Sequence, residues 1–551
     1  MIHFPFKTYI VWSAKAAKDV RWSLLTESLI GLIRVGTSLL FVYVCKELVD
    51  IATKVSDSSL FSYSVALLVI ILMQVLFSAV NTRVRSSANA RLSNLLRNRL
   101  FSHLMYVRYN GRKSRHTGDV INRLEEDVQV VSSTLSNVFP TVLATCFQFV
   151  TAFVFLLYLE STLAWITALI MPVCLIFSKL FIKKMRALTH AIRNTDSRVQ
   201  SFLQESLQHL TLYQILEYES KATNKLFGLQ NELYGCVMKK AHFSIFSHAL
   251  VSLAFASGYS IAFLWGVHGI LIGTVSYGMM TAFLQLVGQI QRPLVDLSQQ
   301  IPAFIHASAS IDRLLELENE PRDPALQPRP LDGQLGIRFE NVDYTYPDGT
   351  TKILKHFSHT FEPGSRTAIL GETGAGKSTM IRLILSILHP QEGKIVVFNE
   401  KEETIVSPAT RCNLVYVPQG NSLLSGTIRE NLLLGDAKAT DEEMKFALRM
   451  AAADFVESLP EQLDTVCSEQ GGGFSEGQAQ RIAIARALLR KGGVLLLDEF
   501  SSSLDEETEN RLLHNLTCNY PDRTMIFITH RPKVTEYCNQ VLHVDSVLSE
   551  A

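Results

Sequence analysis

The run Gly371-Glu372-Thr373-Gly374-Ala375-Gly376-Lys377-Ser378-Thr379 has the spacing G-x-x-x-x-G-K-[ST]. Its glycines let backbone N–H groups curl around an anion with no Cβ in the way. Thr367-Ala368-Ile369-Leu370 before it reads as a strand, and Met380-Ile381-Arg382-Leu383-Ile384 after it as a helix. A helix start at the loop adds a partial positive charge. Strand, loop and helix in that order are the setting in which this spacing cradles nucleotide phosphates. Lys377 would reach the β- and γ-phosphates, and Ser378 would ligate Mg²⁺.

Further along, Val494-Leu495-Leu496-Leu497 reads as a buried parallel strand ending on Asp498-Glu499. Carboxylates at that end of a strand lie where open α/β sheets bind ligands. Asp498 can hold Mg²⁺, directly or through water, and Glu499 can polarise an attacking water as general base. A surface acidic pair that merely ends a strand is the plainer reading. It loses because a metal carboxylate and a base are both required and stand here in order. Between these elements, Gly471-Gly472-Gly473-Phe474-Ser475-Glu476-Gly477-Gln478-Ala479-Gln480-Arg481 opens a second helix. Gly-rich backbone and Ser475 at a helix start make a second anion site. Two phosphate-binding helix starts for one nucleotide are reconciled most economically by two copies head to tail, each capping the other's ATP.

The elements that must position these groups belong to a large chain. At 551 residues it exceeds the ~250–300 at which one core stops growing. Lys+Arg 52 balances Asp+Glu 52, so no basic excess points to nucleic acid. Hydrophobic residues at 47% with charged residues at 19% exclude a disordered or collagen-like chain. The eight cysteines show no C-x-x-C pair, which disfavours a zinc module or a secreted disulfide scaffold, and they read as reduced, small apolar side chains.

Residues before about 310 hold nearly all the long apolar runs. Pro321, Pro324, Pro328 and Pro330 cannot continue a helix and favour an extended spacer. The division expected is 1–316, a linker at 317–332, and 333–551. Six segments near 24–45, 62–82, 137–158, 162–178, 243–265 and 269–291 approach the ~20 apolar residues that span a bilayer. Lys and Arg crowd the N-terminus and the connections 83–136 and 179–242, whereas the connections at 159–161 and 266–268 hold none. The positive-inside rule puts the N-terminus, both long connections and the C-terminal half in the cytoplasm, in a multi-pass protein of the cell (inner) membrane. Lys15, Lys18 and Arg21 precede a full-length span with no small-residue cleavage pattern after it, unlike a signal peptide. Residues 5–21 suggest an amphipathic helix on the membrane surface. The long connections read as membrane helices projecting into the cytosol in pairs.

Taken together, the chain resembles an ATP-binding cassette (ABC) exporter half-transporter. The fold this implies is an all-α six-helix transmembrane domain followed by an α/β P-loop NTPase cassette. Tyr346, in Tyr344-Thr345-Tyr346-Pro347, matches the family's adenine-stacking aromatic. Gln419, in Val417-Pro418-Gln419, matches the glutamine that touches Mg²⁺ and senses the membrane domain. Ser475, Gly477 and Gln478 match the signature motif that caps a partner's ATP. Asp505, in Ser502-Ser503-Leu504-Asp505, matches the loop crossing the dimer interface, and His530, in Ile528-Thr529-His530-Arg531, the switch histidine near the γ-phosphate. Gly371 to Thr379 match the phosphate loop. The resemblance implies ATP hydrolysis with Mg²⁺, coupled to alternating access, with coupling turns near 118–123 and 214–219.

Two departures stand out. Phe474-Ser475-Glu476-Gly477-Gln478 replaces the usual Leu-Ser-Gly-Gly-Gln, and Glu476 is compatible with a phosphate site only if it points away. Thr465 to Gly471 matches the family's coupling segment only in part. Neither removes a catalytic group, so each chain should supply a competent half-site. That favours a homodimer, with a related partner chain as the alternative. The cargo is left open among lipids, amphipathic drug-like compounds and peptides. The absence of a peptidase domain before the first span disfavours a self-processing peptide exporter. Arg34 lies inside the first span, where a charge costs roughly 2.5–3.5 kcal/mol. It reads either as a ligand for an anionic group or as a snorkelling or paired structural residue. The competing class is a membrane-tethered ATPase acting as sensor or regulator without net transport.

Overall fold

The computed structural model describes residues 6–108, 117–324, 326–347, 349, 351–372, 374–468 and 473–544. The chain forms two compact units: residues up to Phe101 with Ile121–Glu318, and Ser102–Val120 with the residues from Asn319 onward.

The first unit is helical. Its elements are α1 (Phe6–Ala16), α2 (Arg21–Ala52), α3 (Leu60–Met105), α4 (Thr117–Asn122), α5 (Val128–Ser133), α6 (Phe139–Leu159), α7 (Ser161–Gln208), α8 (Leu210–Ile215), α9 (Glu219–Leu271) and α10 (Tyr277–Glu318). Single π-turns at Arg123–Asp127 and Thr134–Val138 join α4, α5 and α6 into one path, so the described residues contain six long helical runs. Among the described residues, four stretches are long and apolar enough to cross a membrane: Lys18–Ala52, Leu60–Met105, Gly118–Leu159 and Glu219–Leu271. At ~1.5 Å per residue each exceeds the ~30 Å hydrocarbon layer. The fourth expected span falls within α7, and its side chains at 167–183 lie outside the description. Val42, Leu156, Phe283, Leu286 and Ile290 bring α2, α6 and α10 into one core. On α3, by contrast, Leu68, Leu72, Val75 and Leu76 are each at least 60% exposed. So large an apolar surface belongs against lipid or a second chain.

The hairpin before the sixth span corrects the expected segmentation. The span set at 269–291, with a connection at 266–268, is not one helix. α9 continues through those residues to Leu271, and the chain turns at 272–276. Gly266 and Gly269 do not break α9; they let the next helix approach. A Cβ at Gly266 would stand 2.8 Å from Met280 Cγ, and one at Gly269 2.4 Å from Val275 Cγ2. The turn is made by Gly273 at φ +75, and the Ser276 hydroxyl accepts from the Met279 N–H at 3.0 Å.

One face of α1 packs on protein, while Ile10 and Val11 stay exposed. Trp12 and Ala16 pack with Leu92, Leu96, Leu100 and Leu314. Trp12 Nε1 donates to Glu318 at 2.8 Å.

The second unit has 16 further elements: β1 (Gly336–Thr345), β2 (Lys352–Phe361), β3 (Arg366–Leu370), α11 (Lys377–Ile384), β4 (Glu392–Phe398), β5 (Glu403–Ile405), β6 (Leu414–Val417), β7 (Gly426–Thr427), α12 (Ile428–Leu433), α13 (Asp441–Met450), β8 (Val466–Cys467), α14 (Glu476–Leu489), β9 (Val494–Asp498), α15 (Glu506–Asn519), β10 (Thr524–Ile528) and β11 (Gln540–His543). A five-stranded sheet has the order β11-β3-β10-β9-β6, all pairs parallel, and an antiparallel sheet the order β2-β1-β4-β5. The fully buried β9 and β10 explain why their sequences are unbroken apolar runs rather than alternating ones. Two cores result. One packs α11 between the sheets through Met380, Ile381 and Ile384, and the other gathers α12, α13, α14 and α15.

The spacer is less free than its prolines suggest. α10 runs on to Glu318, because Leu317 is buried in helical register. Beyond it, Val107 bridges Arg322, and the Asp323 N–H donates to Tyr106 O at 2.9 Å. Asp323 also accepts from Arg411 at 2.9 Å. Residues 102–108 are therefore part of the second unit.

Candidate nucleotide site

The parallel sheet decides which distant residues meet. Ile528 of β10 lies opposite Ile369 of β3 on one side and Asp498 of β9 on the other; Val417 of β6 lies opposite Leu497. Four strands thus release their chains at one edge, and the next residues are Gly371, Thr529-His530, Glu499 and Pro418-Gln419.

After β3, the loop passes through Gly374 at φ +93 and Gly376 at φ +99, backbone that favours glycine. A Cβ at Gly376 would also lie 2.8 Å from Ile353 Cγ2. α11 then begins at Lys377. Lys377 is buried, and its Nζ donates to the carbonyls of Gly371 at 2.6 Å and Glu372 at 2.9 Å. Burial holds its pKa below the usual ammonium range, against the pull of Glu499 and Asp498. Ser378 is exposed, and Ala375 is buried. Thr373 lies outside the described residues. Thr379 is buried and shares a hydrogen bond with the Tyr346 hydroxyl at 3.1 Å. The Tyr346 ring meets Tyr344 edge-on at 5.1 Å.

Asp498 is buried at the end of β9. Burial, reinforced by the neighbouring Glu499 carboxylate, pushes its pKa up. The Tyr416 hydroxyl donates to its Oδ2 at 3.4 Å. Tyr416 is itself pushed up to about 12, by burial first and then by Asp498, so it remains a donor. Glu499 sits at φ +44, its N–H held by Ile528 O at 2.9 Å. Its carboxylate accepts from Gln419 Nε2 and lies 3.4 Å from His530 Nε2. Gln419, Glu499 and His530, spread over more than a hundred residues, converge on one carboxylate.

Ser475 caps α14: its Oγ accepts from the Gln478 N–H at 3.2 Å, and the Gln478 side chain accepts from the Ser475 N–H at 3.0 Å. Gly477 is required by packing, since a Cβ there would stand 2.7 Å from Ser503 O. Glu476 is exposed in the first turn of α14, where the helix dipole favours a carboxylate. Residues 469–472 lie outside the description. α14 belongs to the core that α11 does not share, and among the described residues no hydrogen bond joins Ser475 to loop 371–379. Asp505 caps α15 through the Thr508 N–H at 2.9 Å; hydrogen bonds from that N–H and the Thr508 hydroxyl keep its carboxyl below the usual range.

Three connecting residues escape a motif reading. Gln480, fully buried, donates to Glu499 O at 3.3 Å and accepts from Ser503 at 2.7 Å. Arg531 donates to Leu504 O at 3.1 Å and Ser502 O at 3.2 Å and pairs with the buried Glu509 at 2.9 Å. Tyr416 is the third. The signal for Gln480 was a lone amide on an otherwise apolar helix face; for Arg531, its place directly after His530.

A family model described as ABC transporter transmembrane region matches residues 28–294, and one described as ABC transporter matches residues 354–502. The Bacillus subtilis protein YfiC, an uncharacterised ABC transporter ATP-binding protein, is 30% identical over 455 residues, covering 81% of this chain and 74% of YfiC. The chain belongs to the ABC transporter family. As an ABC half-transporter it couples a helical membrane region to a cassette that binds and hydrolyses ATP. It is also 29% identical to the leukotoxin export ATP-binding protein LtxB of Aggregatibacter actinomycetemcomitans, over 89% of this chain and 69% of LtxB. YheI of Bacillus subtilis, named a probable multidrug resistance ABC transporter, is 29% identical over 82% of this chain and 78% of its own length. The fold matches that of a bacterial Atm1-family ABC exporter with ATP bound, at a TM-score of 0.80 and 23% identity over 96% of this chain and 94% of that one.

Proposed function

We propose that the chain is one half of an ATP-driven exporter whose two fuel sites are each completed by the signature residues of the other half. The observation that carries this is the meeting of loop 371–379, Asp498, Glu499, Gln419 and His530 at one sheet edge, while Ser475 stands on a separate core without a bond to them. A second copy turned head to tail brings Ser475, Gly477 and Gln478 to the triphosphate, with Asp505 at the interface.

In this reading Lys377 and the loop amides hold the phosphates, and Glu499 takes a proton from the attacking water. Gln419 and His530 orient that carboxylate. Mg²⁺ would be held by Ser378, Asp498 and Gln419, and would neutralise phosphate charge. These are few, hard oxygen donors around a buried carboxyl, which suits an ion that keeps several waters. Both Glu499 and His530 are in place, so a homodimer suffices. The basic connections put the N-terminus and cassette on the cytoplasmic side. Leu210, Leu212 and Ile215 expose an apolar tip on α8, beside the turn at 214–219 suited to relay cassette closure. Relatives named for leukotoxin export and for multidrug resistance support a cargo among the peptides and amphipathic compounds, and lipids stand as the third class.

The test is ATP-dependent accumulation in inverted vesicles against lipid, drug and peptide panels, with Glu499→Gln as control. Uptake of one class, absent in the control, is expected. ATP hydrolysis with no uptake of any class would favour a sensor. At the adenine end, Tyr346→Ala should weaken ATP binding by about 5- to 100-fold, because stacking is worth ~1–3 kcal/mol per base. Tyr346→Phe, which keeps the ring, should retain most of the affinity in a fluorescent-nucleotide titration. Equal affinity of Tyr346→Ala and wild type would remove Tyr346 from the site.

A further inference from the structure

The seam between α2 and α10 can be registered from its hydrogen bonds. Near the α9–α10 turn, Asp50 Oδ1 accepts from the Gly278 N–H at 3.0 Å. Further in, Gln289 Nε2 donates to Ser38 Oγ at 3.0 Å. The helices run antiparallel, and each contact steps along both. Arg34 stands four residues before Ser38 and Arg292 three after Gln289, each one turn beyond that contact on the same face. The register therefore places the two arginines at one level on neighbouring helices. From Asp50 to Arg34 is 16 residues, about 24 Å at ~1.5 Å per residue, which is past the middle of a ~30 Å hydrocarbon layer.

Both guanidiniums are exposed in the protomer, and among the described residues neither has an ion-pair or hydrogen-bond partner. Two carboxylates lie on the same stripe. Asp296 is one turn beyond Arg292 and makes no ion pair with it. Glu27 is two turns from Arg34, buried, and lies 3.9 Å from Arg85. A lipid-facing position is the costly one for such charges, which in membrane proteins turn instead to the bundle interior or a water-filled cavity. Ser38 and Gln289 make the stripe polar at the turn before the arginines, with the apolar Val42 and Ala282 further along it, whereas the exposed face of α3 is apolar. Pro293, directly after Arg292, has no N–H to give to the helical hydrogen-bond ladder at this level. Two like charges side by side in a low dielectric repel each other unless an anion lies between them. Guanidiniums suit that role, since their planar donors match phosphate and carboxylate oxygens in pairs. Ile33, next to Arg34 on α2, adds exposed apolar surface at that level.

We propose that Arg34 and Arg292 form a twin-guanidinium site for the phosphate or carboxylate group of an otherwise apolar cargo. The proposal rests on the exporter reading and names the cargo's chemical class: an anionic amphiphile held by its charged end in the cytoplasmic half of the membrane domain.

The experiment is native mass spectrometry of the detergent-solubilised full chain titrated with lysophosphatidate, lysophosphatidylcholine or inorganic phosphate, with basal ATPase measured in parallel. Lysophosphatidate should bind at least tenfold more tightly than lysophosphatidylcholine. Arg34→Gln and Arg292→Gln should each weaken it about tenfold or more, since a hydrogen bond to a charged group is worth ~1.5–3 kcal/mol. Arg34→Lys and Arg292→Lys, which keep the charge, should lose less, and basal ATPase should persist in all four. Inorganic phosphate competing equally well would support the guanidinium pair but make the ligand a soluble anion. Equal binding of the two lysolipids, or unchanged binding in the Gln variants, overturns the proposal. So does Arg34→Gln dissolving the dimer without changing lysophosphatidate affinity, which would make the pair a subunit contact. Wild type that hydrolyses ATP but binds no lysophosphatidate overturns this site and leaves the exporter reading standing, whereas wild type without ATPase undermines the reading itself.

Discussion

Glu499→Gln should retain ATP binding while steady-state hydrolysis falls by about 10²- to 10⁴-fold, the contribution expected of a positioned general base. Gln is nearly isosteric, so the φ +44 backbone and its N–H bond to Ile528 O are undisturbed. The amide oxygen can still accept from Gln419 Nε2. What disappears is the capacity to take a proton from water. The phosphate loop is separate from residue 499 and keeps its donors, so nucleotide affinity should stay within a few-fold of wild type. With ATP held but not cleaved, the two halves should accumulate as a closed dimer, detectable by crosslinking across the cassette interface. Steady-state ATPase and nucleotide binding are measured on the same preparation. Turnover within a few-fold of wild type would transfer the base role to another group, with His530, 3.4 Å from the Glu499 carboxylate, the first to examine.

Lys377→Ala should act at the opposite step. The ammonium is the charge at the centre of the loop, buried and bonded to Gly371 O and Glu372 O. Its removal takes away charge-assisted bonds to the phosphates worth ~1.5–3 kcal/mol each, so ATP affinity should drop by about 10²-fold or more. It also leaves two loop carbonyls without their donor, so thermal melting must be recorded beside the titration. Lys377→Arg, which keeps charge and donors, separates the effects: a stable Lys377→Ala protein with wild-type nucleotide affinity would contradict the assignment. The pair of variants divides binding from chemistry, since one should lose the nucleotide and the other should hold it.

How much of this was legible beforehand depended on the range of the interactions. The phosphate loop, the strand before it and the helix after it are local: glycines at φ +93 and +99, then Lys377, are consecutive, and their spacing carries the geometry. Asp498 and Glu499 were legible because a fully buried strand needs an uninterrupted apolar run, which makes its end conspicuous. The connection expected at 266–268 falls inside α9, and what Gly266 and Gly269 do there, letting Met280 and Val275 pack close, depends on a neighbouring helix that the local sequence does not show. The protein face of α1 was hidden because its partners, Leu92, Leu96 and Leu314, lie up to three hundred residues away.

The sequence by itself determined the chemistry available: which loop has the spacing to cradle phosphate, which carboxylates end which strand, and which stretches are apolar enough for a bilayer. Only the tertiary structure decided which groups meet. Gln419, Glu499 and His530 share one carboxylate because parallel pairing of β6, β9, β10 and β3 brings four chain exits to one edge. Arg34 and Arg292 share one level because α2 and α10 run antiparallel and are registered by Ser38 and Gln289. Register is set by packing between distant segments, and single-chain periodicity carries no information about it.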